Sequence, residues 1–242
     1  MVRLVIPRIF AMGGGGFLME PANPRLDRFV LSLAPSPRVA RVCFLPTASG
    51  DAQAKIDLFQ TTFTALGAEP STLSLFKPHT ADLRSFLLSQ HVVYVGGGNT
   101  RSMLALWRAW GLDIVLREAW QSGVVLAGLS AGSICWFEHG VTDSIPGALT
   151  PMPCLGFLAG SNCPHYDGEA ERRPTFQRLV ATRAIPPGLA TDDGVGLLFE
   201  GASLVDVVSS REAARAYRVE PSDSGVRELP LDARLLSEPS PR

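Results

Sequence analysis

The chain's 242 residues are 46% hydrophobic and 19% charged, which suits one large domain or two small ones with a core that needs no staples. Twenty-two basic residues against 23 acidic ones give a formal net charge of -1, so there is no strong electrostatic case for nucleic acid or an anionic membrane. Hydrophobic content this high also excludes disorder for most of the chain.

Twenty of the basic residues are Arg and only Lys55 and Lys77 are Lys, a skew that a GC-rich coding bias explains. The stretch Met1 to Phe10 is too short and interrupted for a signal h-region, and a Gly run follows it. No window offers the roughly 18 to 20 apolar residues of a membrane span. The four cysteines (Cys43, Cys135, Cys154, Cys163) form no C-x-x-C pair, and the four histidines show no H-E-x-x-H spacing. Reduced thiols, a cytoplasmic location, no metal and no cofactor are the expectation.

In chain order, strands are predicted at Leu4 to Met12, Val39 to Pro46, Pro70 to Phe76, His91 to Val95 and Val124 to Ala127. Between them, Ala52 to Leu66 places Ile56, Phe59, Phe63 and Leu66 on one helical face. A further helix carries Leu104, Leu106 and Trp107, with Asn99 or Thr100 placed to cap it. This βαβα rhythm of near-continuous apolar strands implies α/β architecture with a mostly parallel sheet buried on both faces. Residues 141 to 175 lose the rhythm and read as a long, loop-rich active-site segment. Ser203 to Val208 and Ala216 to Val219 look like antiparallel additions to the sheet. The division expected is one domain over 1–220 and a tail, partly ordered, over 221–242.

The most informative motif is Gly128-Leu129-Ser130-Ala131-Gly132, a G-x-S-x-G. It follows the strand-like Gly123 to Ala127 and precedes the helix-capable Ser133 to Phe137, the context a nucleophile elbow requires. There the Ser130 hydroxyl projects above the sheet edge, and the Ala131 N–H can face a developing oxyanion. A second strand end runs into Gly96-Gly97-Gly98-Asn99-Thr100. Strand ends of this kind line the ligand crevice of an open α/β sheet. Gly97, Gly98 and Asn99 are therefore substrate-binding candidates, with a second oxyanion donor among them.

A serine nucleophile needs a base, usually His oriented by a carboxylate. His79 lies in a Pro-flanked loop, His91 opens a strand, and His139 falls two turns into the expected elbow helix. His165, in the polar stretch Gly160 to Gly168, is the remaining candidate. No histidine follows it, which excludes the Ser, acid, His order of an α/β-hydrolase. The order becomes Ser130, His165, then a later acid. Asp192-Asp193 before Gly194 is the strongest pair for that acid, with Asp143 and Glu169 behind it.

Taken together these residues resemble the peptidase E family of serine peptidases, whose better-known members are aspartyl dipeptidases and whose relatives include cyanophycinases. The likeness spans roughly residues 40 to 210 and rests on Val95 to Thr100, Gly128 to Gly132, Pro164-His165 and Asp193-Gly194, with Met12 to Phe17 added from one branch. It implies a three-layer αβα sandwich of the class I glutamine amidotransferase-like kind. It also implies Ser130 as nucleophile, His165 as base and Asp193 as acid, with Gly98 and Ala131 as oxyanion donors. Arg172, or Arg173 in the adjacent register, falls where aspartyl dipeptidases bind the substrate's acidic side chain. Leu129 replaces an aromatic residue often found inside the elbow, and Asp193 stands where Glu is common. The implied activity is hydrolysis of dipeptides or short peptides with N-terminal aspartate, without metal or cofactor, by a homodimer. The rivals are a cyanophycinase-like hydrolase of β-aspartyl peptides and a non-catalytic binding module on the same scaffold.

Overall fold

Strands β1 (Arg8–Met12), β2 (Arg41–Leu45), β3 (Glu69–Thr72), β4 (Val92–Val95) and β5 (Val125–Leu129) line up as parallel neighbours in the order β1-β5-β4-β2-β3. The structure, a computed structural model, describes residues 6–35, 38–223 and 225–237. Leu4 and Val5 of the first expected strand lie outside the described residues. All four residues of β4 and all five of β5 are buried, as the centre of a parallel sheet covered on both faces demands.

One face is covered by α1 (Gly16–Met19), α2 (Arg25–Ser32) and α3 (Gln53–Ala65). The expected helical stripe places Phe59 and Phe63 in full burial. Phe59 stacks on Phe44 of β2 with ring centroids 4.7 Å apart, and Phe17 packs edge-on against both. The opposite face is covered by α4 (Leu83–Leu88), α5 (Thr100–Trp110) and α6 (Leu112–Gln121), through Leu87, Trp107 and Leu116. Two hydrophobic layers flanking one sheet make the αβα sandwich. No described helix is long and apolar enough to cross a membrane.

Beyond the elbow the chain departs from its expected course. Only Ala131–Ile134 is helical (α7), and Phe137–Thr142 is a strand (β6). His139 therefore lies on a strand opposite Pro153 and Ser161, not on a helix. A short apolar run reads equally as helix or strand. Here its backbone is claimed by a distant segment, the Trp136 carbonyl accepting from Phe157 and Leu158 N–H at 2.7 and 2.9 Å.

The expected loop-rich segment contains β7 (Thr150–Pro153), β8 (Leu158–Cys163) and the start of α8 (Arg172–Ala181). These are followed by β9 (Gly188–Thr191), β10 (Val195–Glu200), β11 (Ser203–Ser209), β12 (Ala216–Ser222), β13 (Gly225–Leu231) and β14 (Arg234–Leu235). β10 extends the main sheet antiparallel to β1 and β11 pairs antiparallel to β10, giving eight strands ordered β14-β11-β10-β1-β5-β4-β2-β3. β12, expected there too, instead joins a second, six-stranded sheet ordered β13-β12-β9-β8-β6-β7. α8 seals that sheet with Phe176, Leu179 and Val180 against Val141, Ala190 and Val219. Part of the expected tail is thus a hairpin, Ala216 to Ser222 pairing with Leu231 to Gly225.

Candidate active site

Ser130 sits where β5 ends and α7 begins, with φ +56° and ψ -114°. A non-glycine residue in such a conformation costs about 1–3 kcal/mol and persists only if its surroundings impose it. The imposition is visible. Ser130 N–H donates to the Met12 carbonyl at 3.2 Å, and the Ser130 carbonyl accepts from Ser133 and Ile134 N–H at 2.9 and 3.0 Å. A Cβ on Gly128 would stand 2.4 Å from the Gly132 carbonyl oxygen, and one on Gly132 would stand 2.3 Å from that of Val95. The two glycines of the motif are therefore steric requirements of a turn this tight.

The second glycine loop lies against the elbow. A Cβ on Gly97 would fall 3.1 Å from Ser130 Cβ and 3.5 Å from its Oγ. Asn99 closes the loop as the cap of α5, its Oδ1 accepting from Ser102 N–H at 2.9 Å. Its Nδ2 donates to the Ser144 carbonyl at 3.0 Å. Among the described residues no hydrogen bond engages the Ser130 hydroxyl or the N–H groups of Gly98 and Ala131.

His165 stands just past β8, also with positive φ, +55°. Two bonds tie its loop to the elbow and to β9. Ser133 Oγ donates to Asn162 Oδ1 at 3.0 Å, and Asn162 Nδ2 donates to the Leu189 carbonyl at 3.1 Å. Sequence reasoning passed over Asn162, whose only signal is its polarity near a strand end. His165 Nδ1 lies 2.6 Å from Asp193 Oδ1. Asp192 is turned the other way, its Oδ2 accepting from Arg215 N–H at 2.9 Å. Between the two carboxylates left open by the sequence, Asp193 is the one that meets the imidazole.

Asp193 is held from several sides. Its N–H donates to Asp167 Oδ1 at 2.7 Å, it forms a bridge with Gly14, and Gly194 N–H donates to the Gly14 carbonyl at 3.1 Å. The early glycine run thus seats the acid turn, and Asp167 is a second residue sequence reasoning missed. Burial pushes the Asp193 carboxyl up, but the His165 hydrogen bond and charge, with Arg211 and Arg172, outweigh it and hold it below the ordinary range. Burial, with the charges of Asp167 and Asp193, pushes Asp192 up despite the Arg215 N–H and Arg173. An ionised carboxylate on Nδ1 favours the tautomer that carries its proton there. Nε2 is left as the acceptor.

Arg172 is buried, with 2% of its side chain exposed. Its Nε donates to Glu169 Oε2 at 2.7 Å and its Nη1 to the Val141 carbonyl at 2.8 Å, with Asp143 Oδ1 3.8 Å from Nη2. Asp143 and Glu169 accordingly serve Arg172, and His165 meets Asp193. Arg173 pairs with Glu228 and lies over the Tyr166 and Tyr217 rings at 5.3 and 5.0 Å. Neither arginine is an open cation.

The other titratable candidates stand apart. His79 packs on Phe86, His91 Nδ1 accepts from Arg41 N–H at 2.9 Å, and His139 Nδ1 is buried without a hydrogen bond among the described residues. Burial pushes the Cys163 thiol up to about 12 and that of Cys135 well above its ordinary range, so neither offers a thiolate nucleophile. Among the described residues no cluster of His, Cys, Asp or Glu would hold a metal ion.

Residues 9–207 match the profile of peptidase family S51. The chain is 53% identical over 229 residues to the uncharacterized peptidase YgaJ of Bacillus subtilis (strain 168), covering 95% of this chain and 99% of that one. Among solved structures it is similar to a peptidase from an acI-B1 Actinobacterium, with a TM-score of 0.67 and 21% identity over 94% of this chain and 95% of that one. A Listeria monocytogenes EGD-e protein with a provisional peptidase E name superposes with a TM-score of 0.60 and 17% identity, over 85% of this chain and 99% of that one. At those identities the two structures speak for the fold. The family match and the Bacillus relative cover nearly the whole α/β unit with its elbow and acid turn, and the chain belongs to peptidase family S51.

Proposed function

We propose that this peptidase is a serine-type enzyme of the cytoplasm that removes an N-terminal residue, preferentially aspartate, from dipeptides and short peptides. The observations that carry the reading are the Asp193–His165 contact at 2.6 Å and a G-x-S-x-G serine at positive φ. In this scheme Ser130 Oγ attacks the scissile carbonyl carbon as His165 Nε2 takes its proton. The N–H groups of Gly98 and Ala131, without a partner among the described residues, hold the oxyanion. His165 then returns the proton to the leaving amine, and water hydrolyses the acyl-enzyme by the same route. Asp193 orients the ring and stabilises the imidazolium. The preference for aspartate rests on Arg172, where a substrate carboxylate would take over from Glu169, whose side chain is 46% exposed.

A dipeptide panel tests this, with Asp-X, Leu-X, Arg-X and β-linked Asp-X offered to wild type and to Ser130→Ala. The expected result is fastest cleavage of Asp-X, lost in the serine variant. Cleavage of the β-linked peptide alone would assign the site to β-aspartyl substrates instead. No turnover of any peptide by wild type would leave a binding module.

A further inference from the structure

Lys55, on the first turn of α3, extends its ammonium to the carbonyl oxygen of Gly97 at 3.2 Å. Gly97 is the residue that abuts Ser130. The neighbouring acid on the same helix, Asp57, accepts from Gln53 at 2.8 Å, and among the described residues Lys55 has no carboxylate partner. A lysine spent on a main-chain carbonyl beside the nucleophile, in a chain with only two lysines, calls for a reason.

The reason lies in the peptide plane. The loop is anchored on both sides, by Gly96 N–H to the Leu45 carbonyl at 3.2 Å and Asn99 N–H to the Ala48 carbonyl at 2.7 Å. Between those anchors, the N–H groups of Gly97 and Gly98 have no partner among the described residues. Gly98 has φ +146°, and a Cβ there would stand 2.2 Å from the Ala48 carbonyl oxygen. A peptide unit flanked by two glycines rotates at little steric cost. In a planar trans peptide the carbonyl of one residue and the N–H of the next point in opposite directions. An ammonium holding the Gly97 carbonyl therefore fixes which way the Gly98 N–H points.

We propose that Lys55 is a positioning residue for the oxyanion hole, locking the Gly97–Gly98 peptide so that the Gly98 N–H faces the reacting carbonyl before substrate arrives. The proposal rests on Ser130 being the nucleophile and Gly98 a donor. Lys55 touches neither substrate nor Ser130; it acts through one peptide bond.

The test compares wild type, Lys55→Met and Lys55→Arg, each checked for folding by thermal melting. Removing one oxyanion donor costs about 10²–10³ in kcat, and a donor mispositioned part of the time costs less. Lys55→Met is expected to lower kcat by about 10- to 100-fold with KM little changed, equally for Asp-X and Leu-X peptides. Lys55→Arg, which can still donate to the carbonyl, is expected to recover most of the rate. A rise in KM for Asp-X alone at unchanged kcat would overturn the proposal and assign the ammonium to the substrate's carboxylate. A crystal structure of Lys55→Met serves independently of activity. A Gly97–Gly98 peptide in its wild-type orientation there would overturn the lock; a rotated or doubly oriented one supports it. If wild type cleaves no peptide, the serine-peptidase reading falls by itself, and the crystal structure still decides the role of Lys55.

Discussion

His165 and Asp193 meet at 2.6 Å although 28 residues separate them in the chain. The bond joins the ends of two parallel strands, since β8 and β9 pair Cys163 with Ala190 and each runs on into its half of the contact. Asp193→Asn keeps the shape of the side chain but removes the charge that sets the tautomer of the ring. The expected loss is about 10³–10⁴ in kcat, with only a modest fall in melting temperature at neutral pH, where the ionised carboxyl favours the folded state. Asp192→Asn serves as the contrast, because that carboxyl faces Arg215 N–H and not the imidazole. Activity of Asp192→Asn within a few-fold of wild type is the expected outcome; a loss as deep as that of Asp193→Asn would reassign the acid.

Asn162 couples the elbow to the base. Fully buried, it accepts from Ser133 and donates to the Leu189 carbonyl. Asn162→Ala leaves two buried polar groups without partners, each worth about 1–3 kcal/mol. Urea denaturation should report a loss in that range, accompanied by a fall in kcat as the spacing of Ser130 and His165 loosens. Unchanged turnover in a destabilised variant would limit Asn162 to a structural part.

Arg172→Met strands Glu169 and the Val141 carbonyl, both now satisfied by the guanidinium. The half-exposed Glu169 stays hydrated and its ion pair adds little, so the expected loss is about 1–3 kcal/mol, that of a buried carbonyl left unpaired. Equilibrium unfolding should show that loss directly. A variant as stable as wild type that merely stops discriminating Asp-X from Leu-X would make Arg172 a pure substrate reader.

Asp27 carries a pH dependence of the opposite sign to that of a paired carboxylate. It is buried in α2 with Oδ2 lacking a hydrogen-bond partner among the described residues, while Oδ1 lies 3.4 Å from the Tyr94 hydroxyl. Burial pushes its carboxyl up from 3.8 to about 7, against the lowering effect of the Phe17 N–H and Tyr94. Between those values the folded state holds a proton that the unfolded chain has released, so this group's contribution to stability declines as pH rises through that window. Asp27→Asn is expected to match wild type near pH 4. Above pH 7 it should exceed wild type by a few kcal/mol, to order of magnitude. Parallel urea curves at the two pH values check this; a constant difference would place the titration elsewhere.

The elements legible in the sequence were those whose cause is local. The parallel strands announce themselves as apolar runs because both faces of β4 and β5 are buried. The elbow is readable because the contact that requires Gly128 lies within the same turn, at the Gly132 carbonyl, although the one that requires Gly132 comes from the distant Val95. The stripe of α3 follows from helical geometry, and Asn99 reveals itself as a cap by its position before α5. The order of Ser130 and His165 excluded one family of hydrolases without any coordinates.

Other features depended on partners remote in the chain. Ile134 to Phe137 could continue a helix or turn into a strand, and the carbonyl bonds from Phe157 and Leu158 decided it. The second sheet exists because β6, β8, β9 and β12 meet across long intervals, which no local period encodes. Asp192 and Asp193 are chemically identical neighbours, and only the turn seated on Gly14 aims one of them at His165. Composition marked the arginines and lysines only as a skewed count. Tertiary packing buried Arg172 among its own acceptors and brought Lys55 to the loop beside the nucleophile, because charge finds its partner in space.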